Sequence, residues 1–357
     1  MFETSFLEDK TTHRSMTQTD KNILAPVDVQ EEFFKNLKKF FPDGNYAEQI
    51  AEVLSVSRDP AYRRIRGWKE ITLAEVYKLM RHCNAQMSEL LPTKETVPFH
   101  FRAVDDKNYK YAQFLQEVYR FLEQYYQRGI SRFISFPKEI PLFYSLMFDR
   151  IGYFRYFLYQ KSMLGNAKFQ NLKFKADHYR ELKPEINQKI VDLYYRFGSE
   201  EFWGEEIFTN FLNQIDYYSN AGFFESAEEV TLLLREMEDL IEHLEIQTKS
   251  KVKYFRHEDG SISPSDQSFT MYHSDLTFGD NTILIHLNNG SKVAYIAPNS
   301  IYLMYTSSEE YANYLSEFMG NMAQKAMPVG DASAKEQGDY FNRLRLLIYS
   351  FRKLRGF

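Results

Sequence analysis

Residues 58–69 place Arg58, Arg63, Arg64, Arg66 and Lys69 around a lone carboxylate, Asp59, with Tyr62 among them. Guanidinium groups at this density neutralise phosphates and make paired hydrogen bonds to guanine edges. The formal net charge of the whole chain is −5, so this cationic element is a local feature and not a general coating. Other reactive residue types offer less. His273, Asp275 and His286 fall on expected strands, but nothing fixes their register, and they are read as structural. Glu236, Glu238, Glu242 and Glu245 with His243 read as the solvated face of a helix. His82 and Cys83 read as packing groups. There is no phosphate-binding glycine loop and no nucleophile elbow. The expectation is no enzyme activity, no cofactor and no metal.

Such arginines act only if a short rod carries them outward. Asn45 is placed to cap a helix whose inner face is Ile50, Ala51 and Leu54. Ser55 and Val56 form a tight turn with Val56 inward, and Ser57 is placed to cap the next helix. Pro60 sits in that helix's first turn, where its missing N–H is harmless. Ala61 and Ile65, four residues apart, supply the inner face, leaving Arg58, Asp59, Tyr62, Arg63 and Arg66 outward. Gly67 ends the helix and Ile71 is a buried loop residue. Thr72 with Glu75 forms a capping box for a helix carrying Leu73, Val76, Leu79 and Met80. Met87, Leu90 and Leu91 make a short last helix. Upstream, Phe33, Phe34, Leu37, Phe40 and Phe41 make the first.

Five helices in this order over residues 28–92 resemble the phage-repressor-type (Cro-like, XRE) helix-turn-helix family. The resemblance implies a lambda-repressor-like domain, a double-stranded DNA partner and a role in bacterial transcription regulation. Carried over by position, it places Arg58, Asp59, Tyr62 and Arg63 toward base edges. Tyr46, Ala47 and Gln49 fall where the family touches backbone phosphate, and Arg64, Arg66 and Lys69 would be further phosphate contacts. Asp59 and Pro60 depart from the family's habit. Asp59 either pairs with Arg63 or accepts from cytosine, and the sequence leaves both open. The alternative for the whole domain is a protein-interaction scaffold that does not bind DNA.

The remainder sets the frame. Residues 1–27 read as a flexible arm and 93–106 as a linker. Residues 107–250 read as a helical effector or dimerisation region, and 251–357 as a small α+β part with antiparallel strands and two closing helices. The fold class expected is therefore mainly α. Asn289-Gly290 predicts a tight hairpin between strands 282–287 and 292–296. Val230, Leu233, Met237, Leu240 and Leu244 form a heptad-like seam, packed inside its own domain or against a second copy. One recognition helix per chain gives little affinity, so a homodimer is expected. Phe136 to Tyr144 and the aromatic helix to Leu164 read as core, with a small-molecule or peptide effector pocket as the alternative. The C-terminal helix, with Arg343, Arg345, Arg352, Lys353 and Arg355, reads as a packing helix, or else as a nonspecific DNA contact. The layout looks like that of regulators from the Bacteroidetes lineage.

The one cysteine excludes an intrachain disulfide and fits a reducing compartment. Met1 to Ala25 lacks an apolar signal core, and the apolar stretch Ile140–Leu164 is interrupted by Asp149, Arg150, Arg155 and Lys161. The expected location is cytoplasmic, without a membrane partner.

Overall fold

The computed structural model of the chain describes residues 26–41, 45–85, 87–91, 97–101, 111–182, 185–257, 259–274, 281–299 and 302–357. The expected arm up to Ala25, most of the 93–106 linker and Asp275 lie outside these residues. The chain divides between Pro98 and Phe99 into two compact units.

The first unit is built of α1 (Pro26–Leu37), α2 (Tyr46–Leu54), α3 (Arg58–Ile65), α4 (Leu73–Cys83) and α5 (Met87–Leu90). Its core gathers Phe33, Phe34 and Leu37 of α1, Ile50, Ala51 and Leu54 of α2, Ala61 of α3, Val76 and Leu79 of α4, and Leu90 of α5. The α2–α3 turn depends on Ser55, whose left-handed φ of 56° lets its amide close on the carbonyls of Ala51 and Glu52. Asn45 and Ser57 occupy N-cap positions, but neither side chain makes the capping hydrogen bond expected of it. Thr72 and Glu75 do form a reciprocal capping box: Thr72 Oγ1 accepts from the Glu75 amide at 3.2 Å, and Glu75 Oε2 accepts from the Thr72 amide at 2.9 Å.

The second unit overturns the mainly-α expectation, because it is organised around one nine-stranded mixed sheet. In chain order it runs β1 (His100–Phe101), α6 (Tyr111–Gln127), β2 (Ile130–Phe136), α7 (Leu142–Met147), α8 (Asp149–Leu158), α9 (Glu185–Tyr194), β3 (Ser199–Phe202), α10 (Glu205–Asn220) and α11 (Ala227–Ser250). Then come β4 (Val252–Arg256), β5 (Ile262–His273), β6 (Asn281–Leu287), β7 (Lys292–Asn299), β8 (Tyr302–Thr306), α12 (Glu309–Lys325), β9 (Met327–Pro328) and α13 (Ala334–Arg355). The sheet order is β1-β8-β7-β6-β2-β3-β5-β4, with β9 also on β5. Its β2–β3 and β3–β5 pairs are parallel and the rest antiparallel. The expected turn at Asn289-Gly290 joins β6 to β7, with Gly290 at a φ of +83°.

Strands β2 and β3 sit inside the stretch read as mainly helical. The second half of β2 is buried on both faces, Phe133 to Phe136, so it has none of the alternation that marks a half-exposed strand. β3 is Ser-Glu-Glu-Phe, a poor strand sequence, and Glu201 is held by its surroundings. That buried carboxylate accepts from Tyr144 Oη at 3.0 Å, Ser199 Oγ at 2.9 Å, Trp203 Nε1 at 3.0 Å and, closer still, from Tyr194 Oη. The regions 107–250 and 251–357 therefore share one sheet and one core.

On one face of the sheet, Phe133, Ile285 and Tyr295 join the main core with α6 to α11 and α13. On the other, Ile134, Phe136, Phe202 and Leu284 pack under Ala312, Leu315, Met319 and Met322 of α12. Val230, Leu233, Met237, Leu240 and Leu244 of α11 are each at most 1% exposed within this unit, so the seam is used inside its own chain and is not a dimer contact. The expected solvated face of α11 is corrected too. Glu242 is exposed, but His243 is buried among the rings of Tyr144 and Phe148, and burial lowers its pKa to about 3. Packed by α8, α13 and β4 from several sides, α11 keeps little free surface.

Candidate nucleic-acid interface

Helix α3 is held from beneath and presents its polar side outward. Ala61 is fully buried, and Ile65 packs partly buried on the same core. Arg58, Asp59, Tyr62, Arg63, Arg66 and Lys69 are exposed, as the pattern predicts. Arg58 lies 3.4 Å from Glu48 at the start of α2, and Arg63 lies 3.0 Å from Asp59, which settles the first of the two options for Asp59 in the unbound protein. Arg66 Nε donates to Tyr62 Oη at 3.2 Å, and its guanidinium lies 5.5 Å from the Tyr62 ring centre. Among the described residues, Arg66 and Lys69 have no carboxylate partner.

Arg64 is the exception in the cluster. Only 6% exposed, it turns under the helix, where Nη1 donates to the Pro60 carbonyl at 3.0 Å and Nη2 to Glu75 Oε1 at 2.7 Å. Burial opposes ionisation of Glu75, but the hydrogen bonds from Arg64 and Thr72 outweigh it and hold the carboxyl below its ordinary value. The expectation that Arg64 meets phosphate is thus corrected: its spacing put it in a run of arginines, while the 100° helical step aims it inward. The exposed basic groups reduce to Arg58, Arg63, Arg66 and Lys69, with the carboxylates of Glu48, Glu52, Asp59 and Glu70 also exposed on these elements.

The start of α2 is also less available than expected. Tyr46 Oη donates inward to the Phe34 carbonyl at 2.9 Å, and burial pushes its hydroxyl pKa up. Ala47 and Gln49 are half-buried, and the Gln49 side-chain oxygen has no hydrogen-bond partner among the described residues.

Two features of this face were missed in the sequence. Gln30 of α1 braces the end of α3: its Nε2 donates to the carbonyls of Arg64 at 2.7 Å and Lys69 at 2.8 Å, while its Oε1 accepts from the Ile71 amide at 3.0 Å. A glutamine inside an amphipathic helix carries no signal for this. Trp68, 72% exposed, packs edge-on against Tyr62 with ring centres 5.8 Å apart, and Leu73 and Tyr77 on α4 are also exposed. An exposed tryptophan beside five basic residues was legible as a contact group.

The remaining candidates separate. His273 on β5 and His286 on β6 lie on strands kept apart by β2 and β3, and no group of three His, Cys, Asp or Glu among the described residues could hold a metal ion. Cys83 is half-buried at the head's core, and burial pushes its thiol up to about 11. On α13, Arg343, Arg345, Arg352 and Arg355 pair with Glu205, Glu245, Glu238 and Asp216 of the same unit, as a packing helix would. No helix among the described residues is long and apolar enough to cross a membrane. No family model matches the chain, and neither a curated protein nor a solved structure matches it.

Proposed function

We propose that the first unit binds duplex DNA by laying α3 in the major groove, and that the chain is a sequence-specific transcription regulator acting as a homodimer. The observation that carries this reading is the division of α3 itself. Ala61, Ile65 and Arg64 anchor it, while Arg58, Tyr62, Arg63 and Arg66 project outward from a chain that is acidic overall. Arg58 and Arg63 reach bases or phosphates by exchanging Glu48 and Asp59, exposed pairs worth at most about 1 kcal/mol each. Arg66 and Lys69 supply phosphate contacts, and Tyr62 offers a ring edge and hydroxyl to the groove. The second unit would bring two such heads onto neighbouring half-sites.

A second reading is a protein-interaction head, favoured by Trp68, Leu73 and Tyr77 standing exposed beside α3. Selection of bound duplexes from a random pool by the full chain, followed by anisotropy titration of the selected duplex at increasing salt, separates the two. DNA binding predicts an enriched motif, a steep fall of affinity with salt and at least tenfold weakening in Arg63→Ala. A pool without enrichment, with binding unaffected by Arg63→Ala, rejects it.

A further inference from the structure

Tyr62, on the outer side of α3, is held by two neighbours. Arg66, one turn further on, donates from Nε to Tyr62 Oη at 3.2 Å and sets its guanidinium 5.5 Å from the ring centre. Trp68 meets the same ring edge-on, with centres 5.8 Å apart and planes at 80°. Trp68 is itself anchored. Gly67, at a φ of +70°, turns the chain so that its own amide donates to the Arg64 carbonyl at 3.1 Å and the Trp68 amide to that of Arg63 at 2.9 Å. Gln30 closes this turn from α1 through the carbonyls of Arg64 and Lys69. The Tyr62 phenol therefore stands on a braced platform, and a side chain ordered in advance loses less freedom on binding.

The contact from Arg66 decides what the hydroxyl can read. A phenol carries one O–H and accepts through its oxygen lone pairs. Donation from a cation occupies one lone pair and draws electron density from the oxygen, which leaves a poorer acceptor and a better donor. Arg66 Nη1 and Nη2 make no hydrogen bond to a described residue, so a backbone phosphate can take them while Nε keeps the phenol. Unlike Arg58 and Arg63, Tyr62 has no carboxylate to exchange on binding.

In the major groove cytosine shows a donor and adenine a donor beside an acceptor. Thymine shows one acceptor, while guanine shows two, N7 and O6, and no donor. A hydroxyl that mainly donates is matched best by guanine. We infer that Tyr62 selects guanine by donating its hydroxyl hydrogen to N7 or O6, with Arg66 as the positioning residue that links this base contact to a phosphate. The inference rests on the DNA-binding reading and adds to it which base one side chain recognises.

The test is selection from a random duplex pool by the full parent chain and, in parallel, by its Tyr62→Phe and Arg66→Lys variants. Tyr62→Phe keeps the ring against Trp68 and should keep the parent's thermal transition. One guanine of the parent's half-site motif should disappear from the Tyr62→Phe motif while the other positions stay. Changing that G·C pair to A·T in the selected duplex should weaken the parent about tenfold in anisotropy titrations, and Tyr62→Phe by less than about threefold. Arg66→Lys keeps the charge for phosphate but removes Nε, and should lose the same guanine preference at an unchanged salt slope. A motif that Tyr62→Phe reproduces in full, or relaxation at a base other than guanine, overturns the inference and leaves DNA binding standing. Retention of the guanine by Arg66→Lys removes Arg66 from it. A parent pool without any enriched motif overturns the inference and the DNA-binding reading together.

Discussion

Arg64 Nη2 donates to Glu75 Oε1 across 2.7 Å, tying the underside of α3 to the first turn of α4. Glu75 simultaneously caps its own helix through Thr72, so one carboxylate fixes both the start of α4 and the seat of α3. The exposed arginines are aimed by a buried one.

Arg64 and Arg63 should therefore respond in opposite ways. Arg64→Met leaves a partly buried carboxylate unpaired and is expected to destabilise the head by about 3 kcal/mol, the low end for an ion pair broken from one side. Arg63→Ala removes an exposed pair, costs less than about 1 kcal/mol, and acts on DNA affinity instead. Hydrogen exchange over residues 46–83 of the full chain reads this directly. Lost protection is expected in Arg64→Met and none in Arg63→Ala, and equal protection in both would remove the strut from the account.

Gln30 should behave as a positioning residue. Its amide serves two carbonyls and one N–H at the end of α3, so Gln30→Ala is expected to cost about 1–3 kcal/mol through groups left unsatisfied. Gln30→Glu keeps the acceptor for Ile71 but sets a carboxylate against two carbonyls, and should be at least as damaging. Urea unfolding followed by Trp68 fluorescence in a Trp203→Phe background isolates the head, and a midpoint unmoved by either change would contradict the brace.

Glu236 introduces a pH dependence of known sign. Burial, with Asp149 adding to it, pushes its carboxyl from 4.5 up to about 7, against the Ile151 amide that donates to it at 2.7 Å. A folded pKa above the unfolded one means that the folded chain holds a proton the unfolded chain releases. The contribution is complete below pH 4.5 and is lost as pH rises through about 7, a swing on the order of 3 kcal/mol. Glu236→Gln cannot release that proton, so its stability relative to the parent should rise across this interval. Urea midpoints at pH 4.5, 6 and 7.5, read by Trp203 in a Trp68→Phe background, check it. A constant difference would mean that the carboxyl titrates normally.

Local pattern located the helices and one of their caps, although the Asn45 and Ser57 side chains do not make the capping bonds that their positions predict. The 3.6-residue repeat located α2, α3 and α4, the Thr72–Glu75 spacing predicted a capping box that forms, and Asn289-Gly290 marked a turn in which Gly290, though not Asn289, takes a positive φ. Legibility failed where distant segments supply the partner. β3 is a strand because β2 and β5 flank it and because tyrosines from α7 and α9 satisfy Glu201. Tyr46 turns inward because Phe34, twelve residues earlier, offers it a carbonyl.

What the residues alone determined is the cationic, tyrosine-bearing helix and the small apolar positions that seat it, since period and charge are properties of consecutive residues. Which arginine becomes a strut, where the α11 seam is used and how a sheet gathers strands from almost the whole second unit were decided only in three dimensions. Burial and hydrogen-bond satisfaction there depend on groups brought together across long stretches of chain.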